Sequence, residues 1–436
     1  MSKSEFKLII FTDSFPYTYY DFFEPELPYL DPLFTSIIII PKRVKGKKID
    51  VLPHIVVNTS FLETMKIHRI FNITIKTLFL VFTSFDFYKE IIKKPKQTLH
   101  IDSFIRTILY FGYAIRTKKW ILDFIDRNNI DLAKTIFYTY WLDEVAMGVC
   151  LAKKKYPDIK IISRAHGYDM YNERSTYCYI PYRPEIFENL NKVYTASLDG
   201  EQYLSNKYPL YKSIFKVSKL GVKNPGFMTK QSEDTVFRII SCSDIVPVKR
   251  IELLVLGLKE LGDFKKDHQF SWVHIGEGLL ETKIKKLSKT ILPKNIEYRF
   301  LGLIPNADVI SFYKNNPVDI FINVSESEGG NPISIMEAQS CGIPVIACAV
   351  GGNKEIINEK VGILLNANPT PEEIAKEIIK FMENPEVVNE KKYNSIKNFK
   401  ENYDLEKNFK SFAKELLNLS MELNKGDSLA TKSRDW

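Results

Sequence analysis

Two glutamates nine residues apart, Glu328 and Glu337, bracket the run Glu-Gly-Gly-Asn-Pro-Ile-Ser-Ile-Met-Glu. The apolar stretch Val318 to Val324 before it suits a strand buried on both faces, and Pro332 suits the first helical position, where its missing N–H leaves nothing unpaired. Gly329, Gly330 and Asn331 would then form the loop between strand and helix. Glycine lets backbone approach a ligand closely, and the free N–H groups of a helix start make a seat for phosphate or a sugar hydroxyl. Carboxylates at both ends of such a seat could stabilise developing positive charge or hold hydroxyl groups. On spacing alone, an ordinary strand-loop-helix unit with two solvated glutamates fits equally well.

Other residues could complete this chemistry. Lys249 and Arg250 follow a strand-like 237–243 and could meet a diphosphate, although such a pair is often simply solvated. His166 follows Lys-Ile-Ile-Ser at 160–163 and precedes Gly167, which places it on a loop at a strand's carboxyl end, where α/β folds bind ligands. The remaining histidines, at 54, 68, 100, 268 and 274, have no metal-ligand spacing and read as structural. Gly276 and Gly278 open a helix expected over 279–290 and could admit a ligand to the backbone. Phe300 and Leu301 read either as a wall for a nucleobase or as core. No Asp-x-Asp motif is present, so cationic side chains and a helix dipole are expected to do the work often given to a divalent metal, with no cofactor.

The elements that would position these residues follow a βα rhythm. Apolar runs at Phe6–Phe11, Ser36–Ile40, Ile136–Tyr140, Ile159–Ile162 and Lys192–Ala196 alternate with helical stretches such as 101–127 and 143–155. Turn residues around 217–226 close this block. A second block repeats the rhythm through a strand near 237, then 272–275, 296–301, 320–324 and 345–347. The expectation is an α/β protein of two Rossmann-like, doubly wound domains, 1–220 and 221–400, facing a central cleft. Helices follow over 371–423, the last at about 405–423, and 425–436 is a polar tail.

At 436 residues, 45% hydrophobic and 26% charged, the chain has ordinary globular composition and room for two cores. Five scattered cysteines fit a reducing cytosol better than a disulfide framework. The N-terminus runs straight into a strand without the pattern of a signal peptide, and the most apolar stretch, 78–82, is far too short to span a bilayer. Residues 1–220 carry 32 Lys and Arg against 23 Asp and Glu, so the net charge of +8 belongs to that half. Clusters at 42–48, 93–96 and 116–119, the last beside Trp120, could be solvated faces or could meet anionic lipid. No nucleic-acid motif accompanies them.

The 328–337 run, the Gly-x-Pro-Val-Ile strand after it, Ser-Cys-Ser-Asp-Ile-Val-Pro-Val-Lys-Arg at 241–250, His-Ile-Gly-Glu-Gly at 274–278 and Arg-Ala-His-Gly-Tyr-Asp at 164–169 together resemble family 4 (group 1) retaining glycosyltransferases of GT-B fold. The resemblance implies that Glu328 lies beside the donor sugar and that Glu337 holds the ribose hydroxyls. It implies Lys249 and Arg250 as a diphosphate clamp, with Gly329, Gly330, Asn331, Gly276, Phe300 and Leu301 around the donor. It also implies that His166 reaches the donor sugar from the first domain. The chain departs from the pattern in having two residues between Gly329 and Pro332, an Asp244 where an arginine is usual, and Thr18 to Asp21 where glycines are usual.

What the resemblance implies is transfer of a sugar from a UDP- or GDP-sugar, with retention, to a lipid-linked or polysaccharide acceptor in cell-envelope glycan synthesis. The enzyme would be cytoplasmic, either free or held at the membrane's inner face. A nucleotide-sugar epimerase of the same fold and a non-catalytic nucleotide-sugar-binding partner stand as alternatives.

Overall fold

Runs such as Leu8-Ile-Ile-Phe and Ile320-Phe-Ile have no polar residue to turn toward water, so they form strands covered on both faces. The computed structural model, which describes residues 3–17, 23–66 and 75–432, arranges them in two separate parallel sheets. The chain divides into two compact units: the first holds residues 1–196, 200–218 and 409–436, and the second holds 197–199 and 219–408.

In the first unit, β1 (Lys7–Thr12), β2 (Ser36–Pro41), β3 (Val56–Val57), β4 (Thr135–Thr139), β5 (Lys160–Ala165), β6 (Lys192–Thr195) and β7 (Phe215–Val217) lie in the order β3-β2-β1-β4-β5-β6-β7. The winding therefore reverses between β1 and β4, which sets the place where a crevice opens at the carboxyl ends of the strands. Alternate residues choose the faces. Ile9, Phe11, Phe137 and Ile161 pack on one side with Phe111, Ile121 and Met147 from helices Ile101–Asn128 and Glu144–Ala152. Leu8, Ile10 and Tyr138 pack on the other with Phe412, Leu416 and Leu419 of helix Leu405–Lys432. Each such fully buried side chain contributes about 1.5–3 kcal/mol of transfer free energy. Arg164 is buried in the same layer, 2.8 Å from Glu26 and with its guanidinium over the Phe412 ring, so it anchors that helix rather than serving a ligand.

In the second unit, β8 (Val236–Cys242), β9 (Gln269–Ile275), β10 (Ile296–Phe300), β11 (Ile320–Asn323), β12 (Val345–Cys348) and β13 (Gly362–Leu365) run in the order β10-β9-β8-β11-β12-β13. The reversal falls between β8 and β11. Helices Ile251–Phe264 and Pro371–Glu383 bury Leu254, Val255, Ile374 and Ile378 against Ile239, Ile322 and Ile346. Thr370 starts the latter helix by accepting the Glu373 N–H on its side chain.

Several expectations change. Pro332 occupies the cap position with extended ψ, and the helix begins one residue later, at Ile333. The final helix continues to Lys432, so residues 425–432 are helical where a polar tail was expected, and 433–436 lie outside the described residues, as do Thr18 to Asp21. Parts of two of the three basic clusters are engaged by the fold, although Arg43, Lys45, Lys47, Lys48 and Lys119 remain exposed. Lys42 is buried in ion pairs with Asp143 and Glu144, Arg43 and Lys45 both pair with Asp13, and Trp120 is buried with its indole N–H on Ser60. Among the described residues, no helix is long and apolar enough to cross a membrane.

Candidate functional site

The reversal between β8 and β11 in the second unit brings two loops together. The chain leaving β8 makes a tight turn over Pro247–Lys249 and passes Arg250 in the left-handed region, at φ 49°, before its helix begins. The chain leaving β11 runs through Val324 to Asn331. Glu326 N–H donates to the Val248 carbonyl at 2.8 Å, joining the two loops. Across that junction Lys249 Nζ lies 2.7 and 2.9 Å from the two Glu328 oxygens, and Asn323 Nδ2 donates to Oε1 at 3.1 Å. Glu328 is only 8% exposed. Burial alone would raise its carboxyl, but the Lys249 charge and the hydrogen bonds outweigh it and hold Glu328 below its ordinary value. The result is an ionised carboxylate and its ammonium at a switch point, where α/β sheets place ligands.

Arg250 is engaged differently from expectation. Its Nε donates to the Val324 carbonyl at 2.7 Å, its Nη2 to the Ser325 and Ala367 carbonyls, and its Nη1 to Asn368 Oδ1. The guanidinium thus braces the loops after β11 and β13, and Lys249 is the member of the pair at the carboxylate.

Glu337 sits in the helix Ile333–Ser340, buried, and accepts a hydrogen bond from Asn306 Nδ2. Burial pushes its carboxyl up to about 7, a rise that the Asn306 contact only partly offsets. Asn331 stands just ahead of this helix at 5% exposure, and neither its amide oxygen nor its nitrogen has a hydrogen-bond partner among the described residues. Orphaned buried amides cost about 1–3 kcal/mol, so this one is consistent with a partner supplied from outside the chain.

Gly276, Phe300 and Leu301 lie at the carboxyl ends of β9 and β10 of the same sheet. Gly276 has φ 132°, and a Cβ there would come within 2.0 Å of the Ser243 carbonyl oxygen, so its glycine is required by the neighbouring loop. Phe300 meets Trp272 edge-on at 5.2 Å, and Leu301 N–H donates to the His274 carbonyl, so both are half committed to the core. Gly351 escaped the sequence reading. Its φ is 47°, and a Cβ would approach the Glu328 carbonyl oxygen to 2.1 Å, so this glycine holds the chain after β12 against the Glu328 loop. The Gly-Gly-Asn at 351–353 after an apolar strand was the available signal.

His166 lies in the first unit, just past the end of β5. Its ring rests against Tyr140 and Trp141 at 4.8 and 4.5 Å, while Asp169 accepts the backbone N–H groups of His166 and Gly167. Burial lowers its pKa more than Asp169 raises it, leaving a neutral imidazole near pH 7. Among the described residues no three His, Cys, Asp or Glu side chains gather in a way that could hold a metal.

Residues 227–402 match the model of the family described as glycosyl transferases group 1. A GDP-mannose-dependent monoacylated alpha-(1-6)-phosphatidylinositol monomannoside mannosyltransferase of Corynebacterium glutamicum is 27% identical over 154 residues, which are 34% of this chain and 38% of that protein's length. Among solved structures, the lipopolysaccharide outer core galactosyltransferase WaaB superposes at TM-score 0.66 with 14% identity, covering 94% of this chain and 99% of the other. The Anabaena protein HepE in complex with UDP superposes at 0.61 with 14% identity over 94% and 99%. These likenesses establish the architecture as GT-B.

Proposed function

We propose, from residues 227–402 belonging to the glycosyl transferases group 1 family, that this chain transfers a sugar from a nucleoside-diphosphate sugar to a glycan acceptor with retention of configuration. The observation that carries this reading is the Lys249–Glu328 ion pair joining the two loops at the switch point of the second unit. Departure of a nucleoside diphosphate concentrates negative charge on the leaving oxygens and positive charge on the sugar ring. Lys249 is placed to exchange its carboxylate partner for the diphosphate, and the N–H groups opening helix Ile333–Ser340 add the positive end of its dipole. Glu328 is then the carboxylate beside the sugar, orienting and stabilising without forming a covalent bond. Glu337 holds the ribose hydroxyls, Asn331 meets a donor hydroxyl or phosphate oxygen, and His166 hydrogen-bonds the transferring sugar as a neutral donor. The mechanism calls on no metal and no cofactor.

UDP is the ligand of HepE and GDP-mannose the donor named for the corynebacterial relative, so both bases are candidates. That relative acts on a phosphatidylinositol mannoside and WaaB on lipopolysaccharide core, which favours a lipid-linked or polysaccharide acceptor in envelope synthesis here.

Membrane contact fits the surface of residues 75–105 better than the clusters at 42–48 and 116–120. Here Ile75, Phe79, Phe85, Ile92, Leu99 and Ile101 are 66–88% exposed, interleaved with Lys76, Lys93, Lys94 and Lys96. Apolar tips beside lysines suit the headgroup region of an anionic bilayer at a cytoplasmic face.

Incubating purified protein with labelled UDP- and GDP-sugars and a membrane extract tests the function. Label in a new glycan product with the donor's anomeric configuration is the expected result. Altered sugar nucleotide without an acceptor would identify an epimerase, and donor binding without turnover would identify a non-catalytic partner.

A further inference from the structure

The first unit contains a cavity of about 350 Å³ that the donor chemistry does not use, within the size range of small-molecule sites. It opens at the carboxyl ends of β4 and β5, beside the strand where the winding reverses. One wall is a single face of helix Ile101–Asn128, with Arg106 and Arg116 ten residues apart, roughly 15 Å along the axis, and Tyr110 between them. Asp143, Glu144, Tyr168, Asp169 and Arg183 supply the other polar groups of its lining.

Three guanidiniums and three carboxylates line it, and Lys42 stands behind two of the carboxylates. Asp143 and Glu144 share the single ammonium of Lys42, and Asp169 accepts the backbone N–H groups of Leu142, His166 and Gly167. Arg106 and Arg183 make their hydrogen bonds to neutral groups. Arg106 donates to the Ser175 hydroxyl. Arg183, 1% exposed, gives its two terminal nitrogens to the Leu142 and Asp169 carbonyls, and its Nε is buried without a partner among the described residues. Burial depresses Arg106, the neighbouring Arg183 charge adds to this, and Glu144 offsets it only in part. The Tyr110 hydroxyl is likewise buried and unpartnered, and the half-exposed Tyr168 ring is stacked from behind by Trp141 at 4.9 Å. Buried cations and hydroxyls that lack partners are costly unless a ligand supplies acceptors.

We propose that this cavity is an acceptor subsite for a sugar bearing an anionic group, a phosphate or a carboxylate, with Arg106 and Arg183 taking the anion and the Tyr168 ring facing the sugar. Calling the occupant an acceptor rests on the transferase reading; the preference for an anion rests on the cavity alone. A guanidinium matches both oxyanions in geometry, and an aromatic face matches the apolar face of a sugar ring.

The test is calorimetric titration of the full chain, with nucleoside diphosphate present to occupy the second unit, using glucose 1-phosphate, glucuronate and methyl glucoside. At least one of the anionic sugars is expected to bind tenfold or more tightly than the neutral glucoside, and which one does so separates phosphate from carboxylate recognition. Arg106→Gln should abolish the preference without changing the melting temperature, and Tyr168→Ala should weaken the anionic sugar. Equal binding of charged and neutral probes, no binding of any probe, or anion binding that survives Arg106→Gln overturns the proposal. Failure of nucleoside diphosphate to bind would count against the transferase reading alone, because the anion preference is read separately.

Discussion

Replacing Glu337 with glutamine should stabilise the free protein while weakening its hold on nucleotide. The Glu337 carboxyl, ordinarily at 4.5, is pushed to about 7 by burial. Between those values the folded chain keeps a proton that the unfolded chain has released, so stability falls as pH rises from about 4.5 to about 7 and is level above. A displacement of that size corresponds to about 3 kcal/mol at pH 8. Glutamine is neutral throughout and its Oε1 can still accept from Asn306 Nδ2, so Glu337→Gln removes this term and keeps the contact. At roughly 2–4 °C per kcal/mol for a domain of this size, the variant should melt about 6 °C or more above the parent at pH 8 and close to it near pH 4.5. The same exchange replaces a charged acceptor for ribose hydroxyls with a neutral one, so affinity for free UDP or GDP should drop about tenfold. Thermal melts at pH 5 and pH 8, with and without nucleotide, read both effects. A variant less stable than the parent at pH 8, or a difference that ignores pH, would refute the reasoning about burial; unchanged nucleotide affinity would remove Glu337 from the ribose.

Lys249→Ala removes a charge-assisted contact worth on the order of 1.5–3 kcal/mol, so donor affinity by calorimetry should fall tenfold or more, and an unchanged constant in a folded variant would take Lys249 off the diphosphate. Glu328→Gln should spare nucleoside diphosphate affinity and lower turnover; equal loss of nucleotide binding in this variant and in Glu337→Gln would mean that the two glutamates do not divide the donor between them. Gly351→Ala must move the Glu328 loop, because its Cβ would lie 2.1 Å from the Glu328 carbonyl at a φ that alanine disfavours; donor binding should weaken in a chain whose circular dichroism is native, and full activity would show that the loop yields freely. Changing Phe79, Phe85 and Ile92 together to serine should release the protein from anionic liposomes in a sedimentation assay, whereas Lys45→Gln with Lys48→Gln should not; the reverse pattern would return the contact to the 42–48 cluster.

The βα rhythm, the two sheets and the loop carrying Glu328 were legible because they depend on local patterns. Unbroken β-branched runs have to be covered on both faces, and Gly-Gly-Asn-Pro after such a run both ends the strand and starts a helix. The position of Lys249 after β8 was legible for the same reason. What neighbouring residues could not reveal is which partner a long side chain finds across the fold. Lys249 and Arg250 are adjacent and chemically alike, yet one meets a carboxylate 79 residues away and the other braces backbone carbonyls more than 70 residues away. Lys42 reads as surface charge until Asp143, 101 residues later, buries it. Composition likewise could not show that Ile75, Phe79, Phe85, Ile92, Leu99 and Ile101 face outward while Val81 and Phe87 are buried, since exposure is decided by what packs against a helix rather than by its own sequence. The raised carboxyl of Glu337 belongs to the same class: the residue type sets an ordinary acid, and only the tertiary structure removes the water that would keep it one.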